Sequence, residues 1–295
     1  MKIIQQTETL QKWVQQQGAN TLRLLVPTMG GLHQGHLSLI DLARQKADQE
    51  QREAQVVVSL FVNPTQFGPN EDLDAYPQSL QRDQELCEQH GVDLLFAPSP
   101  DQMYAHDASI KVSESLLSSV LCGQSRPVHF DGVCTIVSKL FNLIQPQVAF
   151  FGEKDFQQVA VIRRLVRDLN YPIEIIAGPI VREPDGLAMS TRNLNLNPQQ
   201  RQQAVVLRQS LLQAKQTLDH DQWSPQPIKE QVREHLASAS LGRIDYVEMV
   251  DPQTLQNLEQ AQSSILIAIA VYFGNTRLID NLYWKQPTAP SHENL

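Results

Sequence analysis

Along the first two-thirds of the chain, short apolar runs alternate with stretches of helical period. The runs TLRLLVP (21–27), AQVVVSLFVNP (54–64), VDLLFAP (92–98), QVAFFG (147–152) and IEIIAGP (173–179) are rich in Val, Ile, Leu and Phe without strict alternation. Strands covered on both faces have this composition. Between them, Phe156, Val159, Ile162, Leu165, Val166 and Leu169 share one helical face, and DGVCTIVSKLFNLI (131–144) repeats the pattern. Such repetition predicts an α/β fold, a mostly parallel sheet with helices on both faces.

The character changes near residue 183. A long helix over about 198–219 and a second over about 226–238 precede two strand candidates, IDYVEMVD (244–251) and SSILIAIAVYFGNTRLID (263–280). This predicts a first domain over 1–182, a smaller C-terminal α+β domain over 183–284, and a mobile tail over 285–295. Ligands of parallel sheets bind at the carboxyl ends of the strands. PTMGGLHQGH (27–36), NPTQFGPNE (63–71) and GEKDFQQ (152–158) all fall there.

Charge narrows the partners. Lys plus Arg, 24, against Asp plus Glu, 32, leaves a net charge of −8 and no basic run, so nucleic acid is excluded as an expected partner. Cys87, Cys122 and Cys134 form no CxxC and read as small buried hydrophobes in a reducing compartment. The N-terminus MKIIQQTETLQKWVQQQ lacks a signal peptide's apolar core. No apolar run reaches the roughly 18 residues of a membrane span. A cytoplasmic protein is expected, without membrane partners.

The chemistry centres on VPTMGGLHQGHLSLI (26–40), a strand's end, three glycines, two histidines and a helix. Backbone N–H groups left unpaired at such a turn, with the helix dipole, favour a phosphate. The pattern is neither Walker A nor GxGxxG. His33 and His36, three apart, can face one anion. They can also be structural, or metal ligands lacking a third partner. As phosphate donors they would stabilise charge as pyrophosphate departs from ATP. Lys154 could neutralise a phosphate or sit in a salt-bridged turn, and Asp155 could cap a helix or bind a ribose. Ser190, Thr191 and Arg192 in GLAMSTRN (186–193) could clamp the β- and γ-phosphates or cap a helix.

Taken together, PTMGGLHQGH, FVNPTQFGPNEDLDAYP (61–77), RPVHFDGV (126–133), FFGEKDFQQ (150–158) and VREPDGLAMSTRN (181–193) resemble the pantothenate synthetase (pantoate–β-alanine ligase) family, within the HxGH adenylate-forming superfamily. The resemblance implies a Rossmann-like domain with a smaller lid domain, and a homodimer. It implies ATP-dependent condensation of (R)-pantoate with β-alanine through a pantoyl-adenylate, with Mg²⁺, releasing AMP and pyrophosphate. By motif, Met29, Gly30, Gly31, Leu32, His33, Gln34, Gly35 and His36 should line the ATP site, with His36 as proton donor and His33 beside it. Gly152, Glu153, Lys154, Asp155 and Val181 should hold the nucleotide, and Met189, Ser190, Thr191 and Arg192 the phosphates. Lys154 and Arg192 join the histidines in offsetting charge. Gln66 should bind pantoate and lie near β-alanine; Gln158 should bind pantoate from the other side. Thr191 stands where the family usually has serine and keeps the hydroxyl; Phe156 stands where tyrosine is common and loses a phenol.

Other readings make different demands. Another HxGH nucleotidyltransferase would not need the glutamine of NPTQFGPNE. An aminoacyl-tRNA synthetase would need a basic RNA-binding appendage, and an ATP sensor would not need both histidines with Lys154 and Arg192.

Overall fold

The computed structural model describes residues 1–18, 20–69, 71, 73, 79–219 and 223–287. Residues 288–295, most of the expected tail, and Asn70, Asp72 and Asp74–Pro77 of the FVNPTQFGPNEDLDAYP motif lie outside them. Contacts divide the chain into two units. The first comprises Met1–Pro184 and Ala188–Asn195, and the second Asp185–Leu187 and the chain from Leu196 onward.

The first unit carries strands β1 (Lys2–Ile4), β2 (Leu22–Thr28), β3 (Ala54–Leu60), β4 (Leu94–Phe96), β5 (Val148–Gly152) and β6 (Glu174–Gly178). Its helices are α1 (Thr7–Gln16), α2 (Gln34–Asp48), α3 (Leu80–Gln89), α4 (Pro100–Met103), α5 (Cys122–Ser125), α6 (His129–Ile144) and α7 (Phe156–Asp168). The strands form one parallel sheet in the order β1-β4-β3-β2-β5-β6. The expected α/β architecture is present, with one addition. Strand β1 spans three residues, two of them exposed, so it has no apolar run to announce it.

Chain order reverses between β2 and β5, the place where parallel sheets leave a crevice beyond their carboxyl ends. Leu24, Val26, Val56, Val58, Leu95 and Phe150 are buried beneath α2, which contributes Ile40, Ala43 and Ala47 to the same core. On α6 the residues Phe130, Val133, Cys134, Val137, Leu140, Phe141 and Ile144 are buried. Its C-terminal end is tied to β2 by buried Arg23, whose Nε donates to Ile144 O at 2.8 Å and whose Nη2 donates to Gln145 O at 3.0 Å. A cation there complements the helix dipole and satisfies terminal carbonyls.

The second unit holds α8 (Pro198–Ala204), α9 (Val206–Leu218), α10 (Pro225–Ala237) and antiparallel strands β7 (Gly242–Val250), β8 (Ser264–Phe273) and β9 (Thr276–Lys285). Leu207, Leu211, Val232, Val247, Ile267 and Ile269 lie in its core. Two expectations change here. The single helix over about 198–219 divides at Val205, a turn residue whose ψ of −18° lies toward the 3₁₀ end of the right-handed helical region. The apolar run 263–280 contains two strands, because Gly274 and Asn275 make a two-residue turn that pairs Phe273 with Thr276.

A domain boundary at 182/183 also changes. Ala188 bridges Arg182, Met189 N–H donates to Val181 O at 3.0 Å, and Asn193 Nδ2 donates to Glu183 at 2.6 Å. These bonds return the loop Ala188–Asn195 to the first unit, so it is not carried by the smaller domain as the lid reading expected. Among the described residues, no helix is long and apolar enough to cross a membrane.

A close backbone approach joins α6 to the single turn Pro64–Gln66. A Cβ at Gly132 would stand 2.6 Å from both the N and the Cα of Gln66. Gly132→Ala is therefore expected to cost about 1–3 kcal/mol, the range for overpacking. A thermal melt matching that of the unaltered chain would show that the two segments can separate freely.

Candidate active site

Beyond the carboxyl ends of β2 and β5 lies a cavity of about 220 Å³, lined wholly by the first unit. It brings together Met29, His33, Gly35, His36, Gln66, Gly152, Lys154, Asp155, Gln158, Val181 and the loop Met189–Arg192. A second cavity of about 270 Å³ is lined by Gly31, Leu32 and His33, with Arg82, Asp83 and Glu183 among the residues opposite. Gly30, Gln34 and Glu153 line neither.

The turn between β2 and α2 differs from a free phosphate cradle. Gly30 and Gly31 have φ of +87° and +64°, a region that disfavours any side chain. This geometry aims backbone donors at buried Asp83 on α3. Gly31 N–H donates to its Oδ2 and Leu32 N–H to its Oδ1, both at 2.8 Å, while Gly30 N–H reaches Thr28 Oγ1 at 3.3 Å. The N–H groups of Gly30, Gly31 and Leu32, expected at the nucleotide, are thus already engaged by protein. Gly35 lines the cavity, and a Cβ there would stand 2.8 Å from the ring of His33.

That ring caps the helix. His33 Nδ1 accepts from Gly35 N–H at 3.0 Å, and His36 Nδ1 accepts from His33 N–H at 3.3 Å. An accepting Nδ1 places the proton of a neutral imidazole on Nε2. Each ring therefore has an Nε2–H to offer a ligand, and their centroids are 4.1 Å apart. Burial, reinforced by Lys154, lowers the His33 pKa to about 4. Burial, then His33 and Lys154, lowers that of His36 to about 3. Both rings are neutral donors near pH 7.

Opposite stand the glutamines. Gln66 Nε2 donates to Met29 Sδ at 3.0 Å, and its Oε1 accepts from Asn63 Nδ2 at 3.2 Å. Gln158 lines the cavity, whereas its neighbour Gln157 is buried and braces the chain, accepting from Cys122 N–H and donating to Leu117 O and Val120 O. Asp155 precedes α7 without a side-chain cap bond, so the capping alternative for it fails. Ser190 accepts from Arg192 N–H at 3.3 Å, as the capping reading expects, and also lines the cavity.

Asn63, Arg126 and His129 also line the cavity but were not singled out from sequence. Their motifs NPTQFG and RPVHFDGV were visible, but spacing alone attached no chemistry to them. Asp83 carried no sequence signal, being one acidic residue on a largely polar helix. Among the described residues, no group of three or more His, Cys, Asp or Glu could hold a metal, which removes support for a histidine metal site there.

The family model for pantoate-beta-alanine ligase matches residues 2–283. Pantothenate synthetase of Thermotoga petrophila is 50% identical over 282 residues, covering 95% of this chain and 99% of the relative. That of Clostridium acetobutylicum is 50% identical over 285 residues, with 96% and 99% covered. The crystal structure of pantothenate synthetase from Thermus thermophilus superposes with a TM-score of 0.89 at 42% identity, covering 96% of this chain and 99% of its own. A Francisella tularensis pantoate-beta-alanine ligase, complexed with beta-gamma ATP and beta-alanine, gives 0.75 at 33% identity, with 96% and 97% covered.

The low histidine pKa values bear on stability. His33 and His36 bind a proton near pH 6.5 when unfolded but only near 4 and 3 when folded. The unfolded chain is then the better proton binder below pH 6.5, so stability falls as pH drops towards 4. In urea unfolding between pH 7 and pH 5, His36→Asn should flatten this decline. An unchanged slope would show that His36 titrates normally in the fold.

Proposed function

The chain belongs to the pantoate–β-alanine ligase family, and from that premise we propose that it condenses (R)-pantoate with β-alanine at the expense of ATP. The reaction passes through a pantoyl-adenylate and releases AMP and pyrophosphate. One observation carries this reading: a single cavity sets neutral histidine donors, Lys154 and Arg192 alongside the uncharged Gln66 and Gln158. The first group suits a polyphosphate and the second a hydroxy acid, since a glutamine both donates and accepts.

A carboxylate is a poor electrophile, and adenylation supplies its leaving group. Pantoate and the α-phosphate repel each other, and Lys154 and Arg192 offset that repulsion. The Nε2–H groups of His33 and His36 donate to oxygens whose charge grows as pyrophosphate departs. With its pKa near 3, His36 serves as a neutral hydrogen-bond donor rather than the acid the family resemblance implied. Among the described residues, Asp155 is the one carboxylate that lines the cavity. This donor set fits Mg²⁺ held mainly by the phosphates of ATP, with Asp155 as the available protein oxygen, and the ion would supply further charge compensation. Exposed Ile110 and Leu116, at 84% and 61%, offer apolar surface for the homodimer we also infer.

Pantoate labelled with ¹⁸O in its carboxylate should pass one label to AMP. Label confined to pyrophosphate would exclude attack at the α-phosphate. Arg192→Ala should depress adenylation about 10- to 150-fold, the worth of a hydrogen bond to a charged group. Aminolysis of preformed adenylate should barely change. Equal loss in both half-reactions would assign Arg192 a structural role.

A further inference from the structure

RPVHFDGV opens α6 against the same cavity, and its histidine differs in kind from the other two. His129 Nδ1 lies 3.1 Å from Gln66 O. A carbonyl only accepts, so Nδ1 carries the proton and Nε2 keeps its lone pair. Among the described residues no protein group bonds to that Nε2. His33 and His36 thus present donors to the cavity, and His129 presents an acceptor.

Arg126 converges on the same carbonyl, with Nη2 at 3.4 Å from Gln66 O. Its Nε and Nη2 also bond Glu71, leaving Nη1 for a ligand. A cation and a neutral acceptor meeting at one carbonyl suit the two ends of a short amino acid. The guanidinium takes the carboxylate, and the imidazole takes an N–H without repelling the amine.

We propose that His129 is a catalytic residue of the amide-forming step, its Nε2 accepting an N–H of the attacking β-alanine amine while Arg126 holds the carboxylate. The assignment rests on the pantoate–β-alanine reading above. The ammonium first loses one proton to water. With one N–H held by His129, the nitrogen lone pair turns to the acyl carbon. The N–C bond forms, the acyl C–O bond breaks with its electron pair leaving on AMP, and a second proton passes from nitrogen to water. His129 stays neutral throughout, consistent with burial, then Arg126, lowering its pKa to about 3.

Two substitutions separate this role from support of Gln66. His129→Asn keeps an amide N–H near Nδ1, preserving the bond to Gln66 O, but removes the distal acceptor. His129→Gln places an amide oxygen near Nε2. Pantoate-dependent ATP–pyrophosphate exchange reads the first half-reaction, and single-turnover amide formation on preformed adenylate reads the second. For His129→Asn, exchange should stay within about two-fold while amide formation falls about 10- to 100-fold, the scale of one hydrogen bond in a desolvated site. His129→Gln should recover part of the loss. Amide formation at the unaltered rate in His129→Asn would overturn the assignment, as would exchange falling in step with it in both variants. Absence of pantoate-dependent exchange in the unaltered chain would overturn the pantoate reading itself, and this assignment with it.

Discussion

The structure of the site depends on one buried carboxylate. Asp83 accepts from the N–H groups of Gly31 and Leu32, each at 2.8 Å, and so holds the left-handed turn between β2 and α2. Charge-assisted bonds to backbone donors are among the stronger ones available to a buried group. With the turn held, His33 sits at the first turn of α2, where its ring accepts from Gly35 N–H and its own N–H donates to His36. The capping box of this helix is therefore also a device for setting imidazole tautomers.

Tautomers then divide the cavity. Backbone N–H groups face Nδ1 of His33 and His36, while a backbone carbonyl faces Nδ1 of His129. Three rings with the same intrinsic chemistry become two donors and one acceptor. Burial keeps all three neutral, so the formal positive charge around the cavity comes from Lys154, Arg126 and Arg192. Such a site can compensate phosphate charge at one end and accept an amine at the other without a proton having to move through a histidine. Fixed dipoles of this kind need no reorganisation as charge develops.

The scaffold explains why these groups meet. The sheet order reverses between β2 and β5, so the turns after both strands open onto one crevice. Helix α6 supplies the third wall. Its far end is fastened by Arg23, and its near end is pressed against Gln66 at Gly132, where a Cβ would not fit. Gln66 is accordingly constrained through its side chain by Met29 and Asn63 and through its carbonyl by His129 and Arg126.

Much of this was legible in the residues themselves. Unbroken Val-, Ile- and Leu-rich runs separated by helical periods specify a parallel sheet, because strands buried on both faces lack alternation. The motifs at the strand ends drew attention to the histidines and Lys154, because ligands gather where such strands terminate, while Arg192 came from the loop motif GLAMSTRN and the two glutamines from the family resemblance. What the chain alone could not reveal was decided by partners distant in sequence. Asp83 engages N–H groups some fifty residues earlier, and the loop Ala188–Asn195 returns to the first unit through bonds to Val181, Arg182 and Glu183. Most telling is the difference among the histidines. A sequence specifies an imidazole, but which nitrogen holds its proton depends on whether an N–H or a carbonyl faces the ring, and only the folded backbone supplies that.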